Sequence, residues 1–438
     1  MGIGSNLTKE KKTSPLDILF LVLRELEMEY SSHQFDVIVV GAGIMGSSTA
    51  YQLAKRGQKT LLLEQFDFLH HRGSSHGESR TMRATYPEDY YCDMVMESSQ
   101  IWEQAQSEIG YKVYFKSQQF DMGPSDNKSL RSVISSCEKK CLSYRVLDSQ
   151  QVADRFSGRV SIPENWVGVL AEIGGVIKPT KAVSMFQALA FQKGAVLRDN
   201  MEVKDIVRDE VKGGVNVVTG NGEKFWGKKC VVTAGAWMSK LVKTVRGLEL
   251  PIQAFETAVC YWRIKEGNEG KFAFGSDFPT FASYGEPYVY GTPSLEFPGL
   301  IKVAVHGGHY CDPDKRPWAP GISLDSMKEW IKGRFSGMVD YGAPVATQSC
   351  MYSLTPDEDF VIDFLGGEFG KDVVIGGGFS GHGFKMAPAV GRILSDLVLS
   401  GEATGVELKC FRIQRFQENP KGNAKDFEHQ VNSPSNHK

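Results

Sequence analysis

The hydrophobic pattern divides the chain into two kinds of segment. Phe35-Asp36-Val37-Ile38-Val39-Val40 is almost unbroken in apolar β-formers, as expected of a parallel strand covered on both faces. A glycine turn follows it, then a helical stretch, then a second short apolar strand, Thr60-Leu61-Leu62-Leu63, that ends in Glu64. Residues 94–109 carry helical periodicity, whereas 113–122 and 142–147 alternate as half-buried strands do. A further unit opens at Gly174, with a helix over 180–192 and a strand over 195–197. Lys229-Cys230-Val231-Val232 reads as a buried strand running into small residues. From 250 to 348 aromatic-rich strands dominate, around 259–264, 288–290 and 300–306, with one helix over 323–335 between them. The pattern closes with a strand at 372–375, a glycine-rich turn and a helix over 387–399.

Alternating strands and helices at the start and end predict an α/β domain with a parallel sheet. The central run predicts a second, α+β domain on a mostly antiparallel sheet, a suitable floor for a small-ligand pocket. The expected division gives the first domain 35–93, 174–247 and 349–415, and the second 94–173 and 248–348. Residues 1–34 are expected to be a disordered or amphipathic extension, with Met28 an alternative start, and 416–438 a mobile polar tail.

Chemistry enters at the first turn. Gly41-Ala42-Gly43-Ile44-Met45-Gly46 has G-x-G-x-x-G spacing. Its first glycine suits a tight turn, its second a close approach of pyrophosphate, and its third the packing of helix on strand. The exposed N–H groups and dipole of the helix start attract phosphate. Glu64, closing the second strand, is placed to accept hydrogen bonds from a ribose diol. Glycine turns alone are common. Strand, turn, helix, strand and acid in this order predict a Rossmann-type dinucleotide site.

Composition narrows the class. The 438 residues are 41% hydrophobic and 23% charged with a formal net charge of -2, so no general positive field exists to gather nucleic acid or anionic membrane. The apolar stretch 15–23 is too short to span a bilayer, Asn6 breaks a myristoylation pattern, and the last residues are not a Ser-Lys-Leu peroxisomal address. The eight cysteines are scattered, with no zinc-type pairing, so no metal is expected and an intracellular setting, cytoplasmic or peroxisomal, is.

Further candidates lie in the polar loop Gly73-Ser74-Ser75-His76-Gly77-Glu78-Ser79-Arg80, in Cys350-Met351-Tyr352-Ser353-Leu354-Thr355-Pro356-Asp357-Glu358, and in Gly378-Phe379-Ser380-Gly381-His382-Gly383-Phe384-Lys385. With the N-terminal fingerprint, these make the chain, from about Phe35 to about Arg415, resemble the monomeric sarcosine oxidase family of flavoenzymes, which includes N-methyltryptophan and L-pipecolate oxidases. The resemblance implies FAD, cradled by Gly41, Gly43, Gly46, Glu64, Gly378, Gly381 and Gly383, and joined through a thioether at Cys350. It implies that His76 and Arg80 stand beside the flavin ring, that Arg83 and Lys385 bind a substrate carboxylate, and that Tyr290 and Tyr352 line the pocket. Lys302, in an apolar strand, is implied to face the flavin and help O2 accept an electron, with His306 on the same strand face. The blander readings are a surface pairing of Arg80 with Glu78, a solvated Lys385 and simple core tyrosines.

The implied reaction oxidises the C–N bond of a secondary amino acid, sarcosine or L-pipecolate, to an imine that hydrolyses, while O2 becomes H2O2. A monomer without nucleic-acid or membrane partners is expected. The rivals are a flavin dehydrogenase that uses another electron acceptor and a non-catalytic nucleotide-binding protein of the same fold.

Overall fold

The structure, a computed structural model, describes residues 33–315 and 324–427. The expectation for the N-terminal extension therefore lies outside the described residues, except that the first strand already begins at Gln34.

The first sheet runs, in spatial order, Val361–Phe364, Val373–Gly377, Lys224–Val232, Gln34–Val40, Thr60–Leu63 and Val196–Arg198. Its central pairs are parallel, and Val361–Phe364 and the hairpin Val203–Arg208 with Val215–Thr219 add antiparallel edges. Burial on both faces explains the apolar run of the first strand. Val37 and Val39 pack into one core with helices Ile44–Lys55, Pro179–Gln192 and Ala387–Ser400, while Ile38 and Val40 enter a second core under the hairpin and helix Met238–Arg246.

The second sheet runs His309–Tyr310, Gln253–Arg263, Leu300–Val305, Val289–Thr292, Thr280–Ser283, Tyr114–Pro124, Trp166–Ile177 and Arg80–Arg83. All its pairs are antiparallel except Thr280–Ser283 with Tyr114–Pro124. Phe120, Phe281, Trp262, Trp330 and Phe335 fill a separate aromatic core on it.

Three placements differ from the expected division. Arg80–Arg83 and Ala346–Leu354 both pair in the second sheet, the latter along Gln253–Arg263, so the polar loop and the Cys350 segment cross between the sheets. Helix Asp89–Ile109, expected with the second domain, places Tyr91, Val95 and Trp102 in the core of the first sheet's helix layer, because its apolar stripe faces that layer.

The third difference is the C-terminal segment. Residues 416–427, expected to open a mobile tail, are tied down by buried charge around Arg415, and the rest of that tail lies outside the described residues. Arg415 forms a two-pronged pair with fully buried Asp357, at 2.7 and 3.1 Å. Asn423 donates to Asp357 and Asp359, and Lys425 pairs with Glu88 at 2.6 Å and with Asp359 at 3.3 Å. Charges removed from water persist when paired and hydrogen-bonded in this way.

Candidate active site

The glycine turn has the geometry that its residue types require. Gly41 has φ +94°, and a Cβ there would stand 2.6 Å from the Thr233 carbonyl oxygen. At Gly46 a Cβ would fall 1.8 Å from the Gly41 carbonyl oxygen, so this glycine lets helix Ile44–Lys55 close onto the strand. The Glu64 carboxylate accepts from the Ala42 N–H at 2.8 Å and the Phe66 N–H at 3.1 Å, which fixes it beside the turn. Ser75, from the polar loop, accepts from the Ile44 N–H at 3.0 Å and so ties that loop to the helix start.

A cavity of about 380 Å³ opens over this turn. Gly41, Gly43 and Glu64 line one end, and His76, Arg80, Cys350, Tyr352, Gly381 and Gly383 line the other. Gly46 and Gly378 do not reach it and act through the backbone, Gly378 at φ +62° with Thr355 where a side chain would be.

A second cavity of about 90 Å³ lies against the first. Arg80, Cys350, Tyr352, Gly381 and Phe384 border both, and Arg83, Tyr290, Lys302, His306 and Lys385 line only the smaller one. Every catalytic and substrate-binding candidate named from the sequence thus borders one or both of two adjoining cavities.

The wall between the cavities is ordered by Arg80. Its guanidinium donates to the carbonyls of Ser74, His76 and Ser79 at 3.0, 2.7 and 2.8 Å, and approaches Cys350 Sγ at 3.5 Å. These contacts replace the surface pairing with Glu78. The His76 ring lies 5.2 Å from that of His71, the two planes tilted by 56°.

The small cavity concentrates buried basic side chains. Arg83 donates to the Thr85 carbonyl and to the hydroxyls of Tyr284 at 3.1 Å and Tyr288 at 3.4 Å. Lys385 donates to the Tyr86 hydroxyl and the His382 carbonyl, both at 2.8 Å. Its partners are uncharged, and burial, with Arg83 nearby, holds its ammonium well below the ordinary lysine range. Lys302 donates to the carbonyl and hydroxyl of Ser79 at 3.1 and 3.3 Å, and burial, followed by Arg80, lowers its pKa to about 8. Burial, then Arg83 and Lys385, lowers that of His306 to about 3, so its imidazole is neutral. His306 Nδ1 lies 3.2 Å from the Tyr352 hydroxyl, itself 3.5 Å from that of Tyr290.

Sequence reasoning missed Tyr86, Tyr284, Tyr288 and His382. The tyrosines anchor the two carboxylate-binding candidates, and His382 bridges Tyr86 and the Glu358 carbonyl. Only His382 had a usable sign, its place in the glycine-rich motif.

The glycine cradle, the fixed acid and a cavity adjoining a smaller one lined by basic side chains have the form of a dinucleotide-binding protein with a small-ligand pocket beside the dinucleotide. The model of the FAD dependent oxidoreductase family matches residues 36–397. The probable sarcosine oxidase of Arabidopsis thaliana is 71% identical over 408 residues, covering 92% of this chain and 98% of that protein. The human peroxisomal sarcosine oxidase is 37% identical over 389 residues, 87% of this chain and 96% of that one. The monomeric sarcosine oxidase of Bacillus sp. (strain B-0618) is 33% identical over 395 residues, 88% and 97%. Among solved structures, NikD, described as an unusual amino acid oxidase, superposes with a TM-score of 0.73 at 23% identity, over 91% of this chain and all of that one, which bears on fold alone. The chain therefore belongs to the FAD-dependent oxidoreductases and, within them, to the sarcosine oxidase family.

FAD is accordingly its cofactor, and the residues present fit it. The turn is free of side chains where a pyrophosphate must approach, and Glu64 is held at the second strand's end. Among the described residues no helix is long and apolar enough to cross a membrane.

Proposed function

We propose that the protein is an oxidase of secondary amino acids of the sarcosine or L-pipecolate type, releasing an imine that hydrolyses and reducing O2 to H2O2. The observation that supports this reading is the adjoining pair of cavities, one over the glycine turn and the other lined by Arg83, Lys302 and Lys385. When bound, FAD supplies the redox chemistry, taking a hydride equivalent from the C–H beside the amine nitrogen and returning electrons to O2.

The chain's own residues bind, orient and set charge. Arg83 offers a planar two-pronged match to the substrate carboxylate and Lys385 a point charge, and a carboxylate there restores the proton affinity that burial removes from Lys385. Holding the carboxylate fixes the rest of a small molecule within a cavity of about 90 Å³, toward Tyr352, Gly381 and Cys350. Arg83, Lys385 and Lys302 together disfavour an ammonium, and neutral His306 adds no charge, so the substrate amine is driven to its uncharged form. Tyr290 and Tyr352 close the apolar side. Lys302 supplies a fixed cation for charge that develops on oxygen. Cys350 is the covalent tether, with Arg80 directed at its sulfur and His76 beside it in the cofactor cavity. A monomer in an intracellular setting, cytoplasmic or peroxisomal, accompanies this reading; relatives carry "monomeric" and "peroxisomal" in their names.

The deciding experiment screens the purified yellow protein for oxygen uptake and peroxide release with sarcosine, L-pipecolate, proline and N-methyl amino acids. Substrate bleaching of the flavin without oxygen uptake would replace the oxidase by a dehydrogenase. No bleaching with any of them would remove the amino-acid reading.

A further inference from the structure

Arg83 and Lys385 come from distant parts of the chain, and the C-terminal segment touches the surroundings of both. Lys425 donates to the Glu88 carboxylate at 2.6 Å and to that of Asp359 at 3.3 Å. The bridge is enclosed: the Lys425 side chain is 8% exposed, that of Glu88 11% and that of Asp359 0%. Glu88 closes the short stretch that carries Arg83 and Tyr86, just before helix Asp89–Ile109. Asp359 ends a turn from Thr355, and the carbonyl of its neighbour Glu358 lies 3.0 Å from His382 Nε2.

From that turn a row of hydrogen bonds leads inward to Lys385. A carbonyl can only accept, so His382 Nε2 carries the hydrogen, and burial holds the ring neutral by pushing its pKa well down. Nδ1 is then an acceptor, 3.3 Å from the Tyr86 hydroxyl, and the Tyr86 oxygen is left to accept from Lys385 Nζ at 2.8 Å. Lys385 Nζ also donates to the His382 carbonyl at 2.8 Å. The turn is fixed from its other side. Glu358 has φ +60°, a left-handed conformation that a residue with a side chain keeps where its surroundings impose it. Arg415 donates to the Asp359 carbonyl at 3.0 Å, and Asn423 and Tyr91 donate to the Asp359 carboxylate, both at 2.8 Å.

We propose that Lys425 is a positioning residue for the substrate: by bridging Glu88 and Asp359 it clamps together the two chain segments that present Arg83 and Lys385, and so sets the spacing at which a carboxylate is held between them. The proposal rests on the carboxylate role given above to Arg83 and Lys385. Lys425 lines neither cavity and acts through Glu88 and Asp359. Two enclosed carboxylates sharing one ammonium cannot part without leaving a buried charge unpaired, which makes the bridge stiff. Stiffness matters here because a planar guanidinium meets a carboxylate in a narrow range of geometries.

The test reads carboxylate binding without turnover. Acetate, a carboxylate with no amine, is titrated against the oxidised, FAD-loaded protein, and its Kd is taken from the broadening of the acetate NMR line. Lys425→Met keeps most of the side chain and deletes the charge, and should weaken acetate roughly three- to thirtyfold, as expected on breaking one member of a charge network. KM for the amino-acid substrate should rise in step while that for its methyl ester stays, a split that a general loss of stability does not produce. Lys425→Arg, which can still reach both carboxylates, should restore most of the affinity. Glu88→Gln opens one side of the bridge and should reproduce the loss even if Lys425→Met does not fold. Acetate affinity unchanged in these variants, or equal losses for acid and ester, overturns the proposal. Lys385→Met separates it from the reading beneath it. If that variant binds acetate as the native protein does, the carboxylate role itself is wrong, whereas weakened binding in Lys385→Met beside native binding in Lys425→Met refutes the clamp alone.

Discussion

The guanidinium of Arg80 lies 3.5 Å from the sulfur of Cys350, a contact between residues on different strands that joins the cofactor cavity to the substrate cavity. The contact fixes the sulfur at the border of the two cavities, where a thioether linkage would have to form. Cys350→Ala should therefore yield protein whose flavin is released by acid, whereas the native precipitate stays yellow. Arg80→Met should slow attachment and leave a mixed population, measured as acid-extractable flavin per protein. Flavin that remains covalent in Cys350→Ala would assign the tether elsewhere.

The turn below makes a sharper demand. Because a Cβ at position 46 would fall 1.8 Å from a backbone oxygen, Gly46→Ala must push the helix off the strand. Expected are loss of bound FAD and a lowered unfolding temperature together, read from the visible spectrum and calorimetry of one preparation. An alanine variant that loads FAD normally would show that the helix start can move at little cost.

What the sequence made legible was local. The first strand, the glycine turn and Glu64 lie close together in the chain, and their geometry follows from residue type and spacing. Cys350 was found through its motif, but its strand was not. Ala346, Thr347 and Ser349 are exposed and give no apolar pattern, and the strand is defined by pairing with Gln253–Arg263. Tyr284 and Tyr288 were illegible as site residues because buried tyrosines are ordinary core, and only the fold brings them to Arg83. Residues 416–427 were misread for the reverse reason. A polar composition suits disorder when its charges are solvated, and the sequence does not display Asp357 and Asp359 waiting in the interior.

Arg83 and Lys385 should matter in proportion to substrate charge. Removing one partner of a charge-assisted hydrogen bond costs about 1.5–3 kcal/mol, so Lys385→Met should lower kcat/KM for the amino acid by roughly ten- to a hundredfold. The methyl ester of the same substrate should lose little. Arg83→Met should show the same discrimination with some added loss of stability, since it also releases the hydroxyls of Tyr284 and Tyr288. Equal losses for acid and ester would remove the carboxylate role from both residues.

The C-terminal clasp should be structural first. Arg415→Met leaves the fully buried Asp357 without its two-pronged partner, a change that costs about 3–5 kcal/mol in comparable sites. Asp357→Asn should cost a comparable amount, since it leaves the buried guanidinium of Arg415 without its counter-charge. Denaturant unfolding followed by fluorescence gives both values. If Arg415→Met costs no more than a surface substitution, the segment is held by other contacts.

Lys302 carries the most specific kinetic expectation. Lys302→Met keeps side-chain length and packing and deletes the charge, so anaerobic reduction of the flavin by substrate should change little. Oxidation by O2 should slow at least tenfold, since a preorganised charge aimed at a developing anion is worth about 2.7–4 kcal/mol. The pH dependence has a definite sign. Burial lowers the pKa of Lys302 to about 8, so the cation is present below that pH and is lost as pH rises through it. The native oxidative rate should accordingly fall on the alkaline side of about pH 8, and Lys302→Met should be slow and flat over the same range. A native rate that rises through that range, or a variant that retains the alkaline fall, would assign the titration to another group and leave Lys302 as a buried strand residue tied to Ser79.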